Sequence, residues 1–216
     1  DIANLIARRI DDAADLRPSI LPAQTNAYRV INAAGDGLPG LVIDRYDKVA
    51  VVRLYGACWV PHVDAVVHAL AQVPGIQTVV RRLGVRRVDG DDGIELMHGP
   101  EAPEPLIVTE GGVRFLARPS TGQKTGLFLD QRDNRIALAH AAQGMQVVNL
   151  FGYTGGFSVH AAARGSGRVI TVDQSAPALQ DARENFRLND LDPSQHGFEA
   201  ADVFSWEPEH PADIVI

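Results

Sequence analysis

A glycine-rich turn and two acidic residues carry the strongest chemical signal in this sequence. The stretch VVNLFGYTGGFS, residues 147–158, runs from an apolar strand-like segment through three glycines into an Ala-rich segment. Glycine suits a backbone that takes positive φ or lies against a ligand, and the following helix N-terminus offers N–H groups to the same space. Asp173 ends the next strand-like segment about 20 residues later, where βαβ units direct a carboxylate at a ribose diol. Asp202 precedes Val203 and Phe204, so it suits an adenine amino group whose ring touches the apolar pair, and the whole pattern predicts an adenosine ligand.

The classes of adenosine ligand differ in what they require of the turn. Dinucleotide sites use G-x-G-x-x-G, but Thr154 stands two residues after Gly152. Lys124 precedes the first strand of the unit, so it cannot serve a G-x-x-x-x-G-K-[ST] phosphate loop. S-adenosylmethionine (SAM) has no phosphate, and a short turn with nearby acids fits it better. The alternative is an ordinary turn between a strand and a helix, with no ligand.

Composition describes a globular chain and excludes several classes of protein. The 216 residues are 45% hydrophobic and 22% charged, enough for one large or two small domains. No apolar run approaches the roughly 18 residues of a membrane span, and no signal-peptide pattern opens the sequence. The single cysteine, Cys58, excludes an internal disulfide and favours a cytoplasmic setting. The seven histidines have no metal-ligand spacing and are interpreted as solvated or packed, so no metal is predicted.

The net charge of −7 argues against a generally basic nucleic-acid surface. A local basic face could still dock RNA. The candidate residues are Arg81, Arg82, Arg86 and Arg87, around Gly84. The alternative is a solvated strand end balanced by Asp89, Asp91 and Asp92. The sequence leaves both alternatives open.

Hydrophobic periodicity predicts a small α+β domain over residues 1–104. A helix is expected over 1–17, stopped at Pro18, and a second over 60–72, ended by Pro74 and Gly75. The expected strands are 28–33, 41–43, 48–55, 76–80 and 94–97. Residues 44–46 are expected to close the second strand, and prolines between 100 and 105 mark a linker.

The second predicted domain, residues 105–216, begins with a hairpin over 106–117 and a helix through 136–142. A Rossmann-like half follows, in which strands alternate with helices. Its expected elements are a strand at 145–150, an amphipathic helix from 156, a strand at 168–172, a helix at 176–189, a weak strand at 197–200 and the start of another at 213–216. The predicted fold class is therefore α/β.

Three motifs, in this order along the chain, resemble those of one enzyme family. They are GDGLPGLVIDRY (35–46), TGQKTGLFLDQRDNR (121–135) and NLFGYTGGFSVHAA (149–162), the last followed by VDQS (172–175). Together they resemble the SAM-dependent ribosomal RNA large-subunit cytosine methyltransferases, which make 5-methylcytosine. The resemblance implies a Rossmann-like class I methyltransferase domain, incomplete at its C-terminus, after a small α+β domain. It implies SAM as cofactor and ribosomal RNA as partner, with no membrane partner; a homodimer is left open, and the PUA domain that usually precedes this region is not seen.

The resemblance also implies roles for individual residues. The methionine end of the pocket would be shaped by Asn149, Phe151, Gly152, Tyr153, Thr154 and Gly155. Asp173 would hold the ribose and Asp202 the adenine amino group. The segment that folds over the cofactor would contribute Lys124, Phe128, Asp130 and Arg132. The alternatives for these four are a surface lysine, a core phenylalanine, a helix N-cap aspartate and a solvated arginine.

The catalytic residues are expected outside this sequence. Methylation of cytosine carbon 5 needs a nucleophile that first adds to carbon 6. The family's catalytic cysteine and Asp-Pro-Pro segment follow the fourth strand, within which this chain stops at Ile216, so we expect a fragment of a longer chain. Cys58, beside Trp59, matches no motif and is interpreted as a structural thiol. Two other functions stay open: a methyltransferase of the same fold with another substrate, and a non-catalytic RNA-binding module that retains the pocket.

Overall fold

The chain divides into two compact units, which are described separately. The computed structural model describes residues 1–85, 88–89 and 92–216. The first unit contains Asp1–Thr109 and Ala117–Leu129, and the second contains Glu110–Leu116 and Asp130–Ile216. Residues 105–109 and Ala117–Leu129, which the prediction places in the second domain, belong to the first unit in this division. Within the described residues, none of the helices has the length and apolar character needed to cross a membrane.

A five-stranded sheet forms the centre of the first unit. Its strands, in spatial order, are β1 (Ala27–Asn32), β2 (Leu41–Tyr46), β3 (Val49–Leu54), β4 (Thr78–Arg82) and β5 (Ile94–His98). Only β3 and β4 pair in parallel, and helix α2 (Val63–Gln72) connects them. Helix α1 (Ile2–Ile20) packs on α2 and β1, and Ile6 and Ile10 belong to the same buried apolar cluster as Leu41 and Leu70. The predicted small α+β arrangement is confirmed, with two helices on the sheet.

Three predicted element ends in the first unit are wrong. Helix α1 continues through Pro18 to Ile20. A proline in the last turn removes only one backbone hydrogen bond, and the Ser19 hydroxyl donates to the Leu16 carbonyl at 2.7 Å in the same turn. The helix predicted from residue 60 begins as the 3₁₀ segment Ala57–His62, which contains Pro61. Strand β2 extends through residues 44–46, because their polar groups find partners in the unit.

A four-stranded, all-parallel sheet forms the second unit. Its spatial order is β10 (Gly197–Ala200), β9 (Val169–Asp173), β8 (Val147–Leu150) and β11 (Ile214–Val215). The chain steps from β8 to β9 to β10 on one side and then returns to the other side of β8. The carboxyl end of β8 is therefore the topological switch point, where open α/β sheets bind ligands. The predicted α/β, Rossmann-like arrangement is confirmed.

Three helices flank this sheet: α3 (Arg132–Ala141), α4 (Gly156–Ala163) and α5 (Ala176–Leu188). Helix α4 was predicted to be amphipathic, which is wrong. It packs against α3, α5, β8 and β9, so that five consecutive residues from Ser158 to Ala162 are buried. The hairpin β6 (Leu106–Glu110) and β7 (Val113–Ala117) contains the division between the two units.

The arginine cluster is only partly described. Arg86, Arg87 and Asp91 lie outside the described residues. Arg81 forms an ion pair with Asp89, and Arg82 donates to the carbonyls of Pro119 and Ser120. The Arg81–Asp89 pair agrees with the balanced alternative, whereas Arg82 bonds to backbone carbonyls, and docking of RNA by this cluster stays a prediction.

Candidate functional site

The turn after β8 has an unusual backbone. Phe151 and Tyr153 have φ angles of 52° and 48°, and Gly155 has 73°. The left-handed region costs a non-glycine residue of the order of 1 kcal/mol or more, and such conformations concentrate at functional sites. Gly152 is required by space instead, because a Cβ there would lie 2.4 Å from Thr171 Cγ2. The backbone of the turn therefore lies so close to β9 that position 152 requires glycine.

Three hydrogen bonds to two elements, β9 and α5, hold this turn. The Gly152 N–H donates to the Val172 carbonyl at 2.9 Å, and the Tyr153 N–H donates to Asp173 Oδ2 at 2.8 Å. On the other side, Asn185 Nδ2 of α5 donates to the Thr154 carbonyl at 2.9 Å. These bonds offset the cost of the left-handed residues and keep the turn in one conformation.

The two predicted acids lie at the same edge of the sheet as the turn. Asp173 is the last residue of β9, and Asp202 follows β10 by two residues. Because β10, β9 and β8 are adjacent and parallel, their carboxyl ends lie side by side. Asp173 accepts from the N–H groups of Tyr153 and Ser175, both at 2.8 Å. A carboxylate has about four acceptor positions, so this one retains capacity for the two hydroxyls of a ribose.

Two exposed aromatic rings lie beside these acids. Phe151 is 61% exposed and Phe204 is 88% exposed, and their ring centroids are 5.7 Å apart in an edge-to-face arrangement. Asp202 Oδ1 accepts from the Phe204 N–H at 3.1 Å and thereby fixes the start of this loop. Such rings at a strand edge offer an apolar surface to a planar base. Sequence reasoning identified Phe204, but not its contact with Phe151.

Asn149 lies beneath the turn, and its role toward a cofactor stays a prediction. Its side chain is buried, and Nδ2 donates to Ser158 Oγ of α4 at 2.9 Å. The Thr171 hydroxyl donates to the same oxygen at 2.7 Å. The Asn149 side chain therefore connects β8 to α4 underneath the turn.

Lys124 and Phe128 belong to the first unit. The Lys124 ammonium lies 4.4 Å from the centroid of the Phe128 ring, a cation–π distance. The intervening Thr125 is buried, and its hydroxyl donates to Asp44 Oδ2 at 2.6 Å and contacts the Tyr46 hydroxyl at 2.9 Å. The motifs 35–46 and 121–135, which are far apart in sequence, thus meet through these side chains.

Asp44 and Tyr46 are themselves fully buried and fixed. Arg29 donates two hydrogen bonds to Asp44, of 2.8 and 3.1 Å. Hydrogen bonding to Asp44 is the main cause that raises the pKa of Arg29. The Tyr46 hydroxyl accepts from the Leu127 N–H at 3.2 Å, and burial raises the pKa of Tyr46 far above its ordinary value. Tyr46 is therefore neutral, and its hydroxyl can donate one hydrogen bond and accept another. The result is a rigid polar clamp, consisting of Arg29, Asp44, Tyr46 and Thr125, that holds the segment carrying Lys124 and Phe128.

Asp130 and Arg132 belong to the second unit. Asp130 lies in the 3₁₀ segment Leu129–Gln131, and Arg132 opens α3, where its Nε donates to Asp133 at 3.0 Å. One turn later, Arg135 packs against Gly156 at the start of α4, 3.2 Å from the position a Cβ would take. The start of α3 therefore lies beside the start of α4. The roles of Asp130 and Arg132 toward a cofactor stay predictions.

A buried ionic network supports this end of α4, and sequence reasoning missed it. Glu110 accepts from Arg135 at 2.8 and 2.6 Å and contacts His160 Nε2 at 3.1 Å. All three side chains are at most 3% exposed. Burial alone would raise the pKa of Glu110, but the hydrogen bonds and charges of His160 and Arg135 outweigh burial and lower it. Glu110 is thus a carboxylate that joins the hairpin, α3 and α4.

Asn185, also missed, was detectable from the sequence. It follows Ala178 and Ala182 on the buried face of α5, where a polar side chain needs partners. It has them in the Thr154 carbonyl and in the Leu116 N–H, which donates to Asn185 Oδ1 at 2.8 Å. Within the described part of the chain, no three His, Cys, Asp or Glu side chains come together in a group that could hold a metal ion.

A family comparison covers most of the chain. The sequence profile of the S-adenosylmethionine-dependent methyltransferase family matches residues 37–214. The chain belongs to this family. The matched range contains the glycine turn, Asp173, Asp202 and the segment with Lys124 and Phe128.

Two similar curated proteins have names that specify a nucleic-acid substrate. A ribosomal RNA large subunit methyltransferase from Deinococcus radiodurans is 40% identical over 208 residues, which cover 94% of this chain and 50% of that protein. The ribosomal RNA large subunit methyltransferase I of Shewanella denitrificans is 40% identical over 206 residues, which cover 94% of this chain and 52% of that protein. The chain thus spans about half the length of the curated relatives it matches.

A solved structure shares the fold over the same range. The crystal structure of a methyltransferase complexed with SAH superposes with a TM-score of 0.84 at 30% identity. The match covers 94% of this chain and 52% of that one.

Proposed function

We propose that this chain binds SAM at the carboxyl edge of β8, β9 and β10 and forms part of an enzyme that methylates carbon 5 of cytosine in large-subunit ribosomal RNA. The observation that carries the cofactor proposal is the hydrogen bond between the strained turn and Asp173. That bond fixes a carboxylate with remaining acceptor capacity beside backbone that approaches a ligand closely.

Each part of SAM then has a matching group. Asp173 accepts from the ribose hydroxyls, and Asp202 accepts from the adenine amino group while Phe204 covers the ring. The turn from Phe151 to Gly155 borders the methionine end, near the start of α4, where the helix dipole favours the carboxylate. Lys124, Phe128, Asp130 and Arg132 are proposed to cover the cofactor. SAH, the ligand in the similar crystal structure, is SAM without its transferred methyl group and supports this cofactor class.

The RNA substrate is supported by the names of the relatives, and the cytosine target by the resemblance of the three motifs. Chemistry at carbon 5 requires a thiolate, and the one cysteine here is exposed in the 3₁₀ segment Ala57–His62 of the first unit, outside those motifs. We therefore propose that the nucleophile lies outside these 216 residues. An RNA substrate of this kind is reached in the cytoplasm.

Isothermal titration with SAM, SAH and NAD tests the cofactor proposal. We expect SAM and SAH to bind and NAD to give no heat. Asp173→Asn removes the charge that receives the ribose, so affinity for SAM falls about 10- to 100-fold, as for a lost hydrogen bond to a charged group. Glu209→Gln removes one exposed carboxylate from the same unit and is the matched control. Tighter binding of NAD than of SAM, or equal affinities of the two variants, would overturn the cofactor proposal.

Deleting the gene tests the substrate proposal. Nuclease mapping and mass spectrometry of large-subunit ribosomal RNA should show the loss of one 5-methylcytidine, restored by complementation. A methyl group lost from another atom or another base would refute the cytosine proposal while leaving the cofactor proposal intact. A homodimer stays an expectation, which sedimentation equilibrium of the chain would test.

A further inference from the structure

Arg53 and Tyr55 form a positively charged and aromatic surface on the first unit. Arg53 lies in β3 and Tyr55 follows the strand directly. Residues two apart in a strand point to the same side. The Arg53 guanidinium carbon lies 5.4 Å from the centroid of the Tyr55 ring, so the two side chains lie together. We use the term Arg53–Tyr55 surface for these two residues.

The Arg53 guanidinium has most of its hydrogen-bonding capacity unused. Its Nη1 donates to the Lys124 carbonyl at 3.3 Å, while its Nε is buried without a hydrogen-bond partner. Among the described residues, Arg53 forms no ion pair with a carboxylate. An arginine has five N–H donors, and its planar group matches the geometry of a phosphate. The surface therefore presents a positive charge without a negative partner in the described part of the chain.

Tyr55 supplies a different kind of contact. Its side chain is 53% exposed although its backbone is fixed, because the Tyr55 N–H donates to the Gly40 carbonyl at 2.8 Å. A rigid, exposed aromatic ring offers a stacking platform to a nucleic-acid base. A base inside a duplex is already stacked on both sides, so such a ring selects single strands, loops and splayed bases.

The charge of the surroundings is also compatible with RNA. The carboxylate in this part of β2, Asp44, is fully buried and paired with Arg29. Because the whole chain carries a net charge of −7, non-specific attraction of RNA elsewhere is weak, and a local positive surface decides where it docks.

We propose that the Arg53–Tyr55 surface binds single-stranded RNA, with a base stacked on Tyr55 and a phosphate held by Arg53. The proposal rests on the proposed RNA substrate and names the part of the first unit that contacts it. It also assigns a role to residues that lie outside the three motifs of the sequence.

Fluorescence anisotropy of the chain with a labelled single-stranded RNA of about 12 nucleotides tests the surface directly. Tyr55→Ala should weaken binding about 5- to 30-fold, and Tyr55→Phe should bind within about twofold of the unmodified chain, because only the ring is needed. Arg53→Gln should weaken binding and should make the slope of log affinity against log salt shallower by about 0.7, the value for one lost phosphate contact on a single strand. Arg8→Gln removes an equal charge from the exposed face of α1 and is the matched control.

The outcomes separate this proposal from the proposed function. The proposed RNA-binding role of the surface would be overturned by equal losses of RNA affinity in Arg8→Gln and Arg53→Gln, or by an unchanged affinity in Tyr55→Ala. Tighter binding of duplex than of single-stranded RNA would also overturn it. Melting curves and SAM titrations of each variant check that neither the fold nor the cofactor site has changed. If the gene deletion leaves 5-methylcytidine intact while the variants behave as expected, the surface stands and the cytosine proposal falls. If the methyl group is lost but the variants bind RNA normally, the surface falls and the function stands.

Discussion

Replacing Glu110 by glutamine tests whether the buried network stabilises the second unit. Glu110→Gln keeps the size of the side chain and removes its charge. The side chains of Glu110, Arg135 and His160 are 0%, 3% and 2% exposed, so water cannot replace the lost partner. Removing one member of a buried ion pair typically costs about 3–5 kcal/mol, because the remaining charge is left uncompensated. We therefore expect the free energy of unfolding to fall by about that amount, measured by urea titration with circular dichroism.

An exposed ion pair of another glutamate in this unit provides a matched control. Glu184 pairs with Arg187 along α5, and their side chains are 40% and 52% exposed. Because solvent screens such a pair, Glu184→Gln should change the free energy of unfolding by less than about 0.5 kcal/mol. A cost for Glu110→Gln as small as that of the control would refute the importance assigned to burial.

The pH dependence provides an independent check. The pKa of Glu110 is lowered in the folded protein from its ordinary value of 4.5. Its contribution to stability is therefore fully present above about pH 4.5 and is lost as the pH falls through the folded-state pKa. The difference in stability between the unmodified chain and Glu110→Gln should be constant near neutral pH and should shrink in acid. A difference that grows as the pH falls would contradict the assigned ionisation.

Two further substitutions test the turn and the clamp. Gly152→Ala brings a Cβ to within 2.4 Å of Thr171 Cγ2, so we expect the free energy of unfolding in urea titrations to fall by about 1–3 kcal/mol and SAM binding by calorimetry to weaken. Gly35→Ala, where the nearest atom is 3.7 Å away, is the control. Equal effects of the two substitutions would contradict the steric argument. Thr125→Val removes the hydroxyl that contacts Asp44 and Tyr46, so the first unit should lose about 1–3 kcal/mol, while the exposed Thr121→Val should change stability by less than about 0.5 kcal/mol. Limited proteolysis should also cut the segment around residue 124 faster in Thr125→Val, and unchanged cleavage would argue against the clamp.

The clamp suggests how two motifs of this family depend on each other. Asp44 and Tyr46 lie in one motif and Thr125 in another, and they form one buried hydrogen-bonded group. A change in any of these side chains is therefore expected to alter the position of Lys124, which the motif resemblance assigns to the cofactor. The effect of such a change on SAM affinity would be indirect, through positioning.

The sequence determined the features that depend on neighbouring residues. Apolar runs with glycine between them predicted β8, the turn and α4, and the acids after β9 and β10 were located correctly at strand ends. Parallel strands bring their carboxyl ends to one edge, so residues that are separate in sequence could be grouped without coordinates. The three motifs were sufficient to predict the SAM-dependent methyltransferase family, to which the chain belongs.

The pairing of polar groups inside the protein depends on contacts between segments that are far apart in sequence. Glu110 meets Arg135 and His160 across 25 and 50 residues, and Asp44 meets Thr125 across 81. Periodicity reports which side of a helix or strand is buried, but it does not report the partner, because a hydrogen bond depends on distance and direction between elements. For the same reason α4, which is enclosed by two helices and the sheet, was predicted to have an exposed face that it does not have.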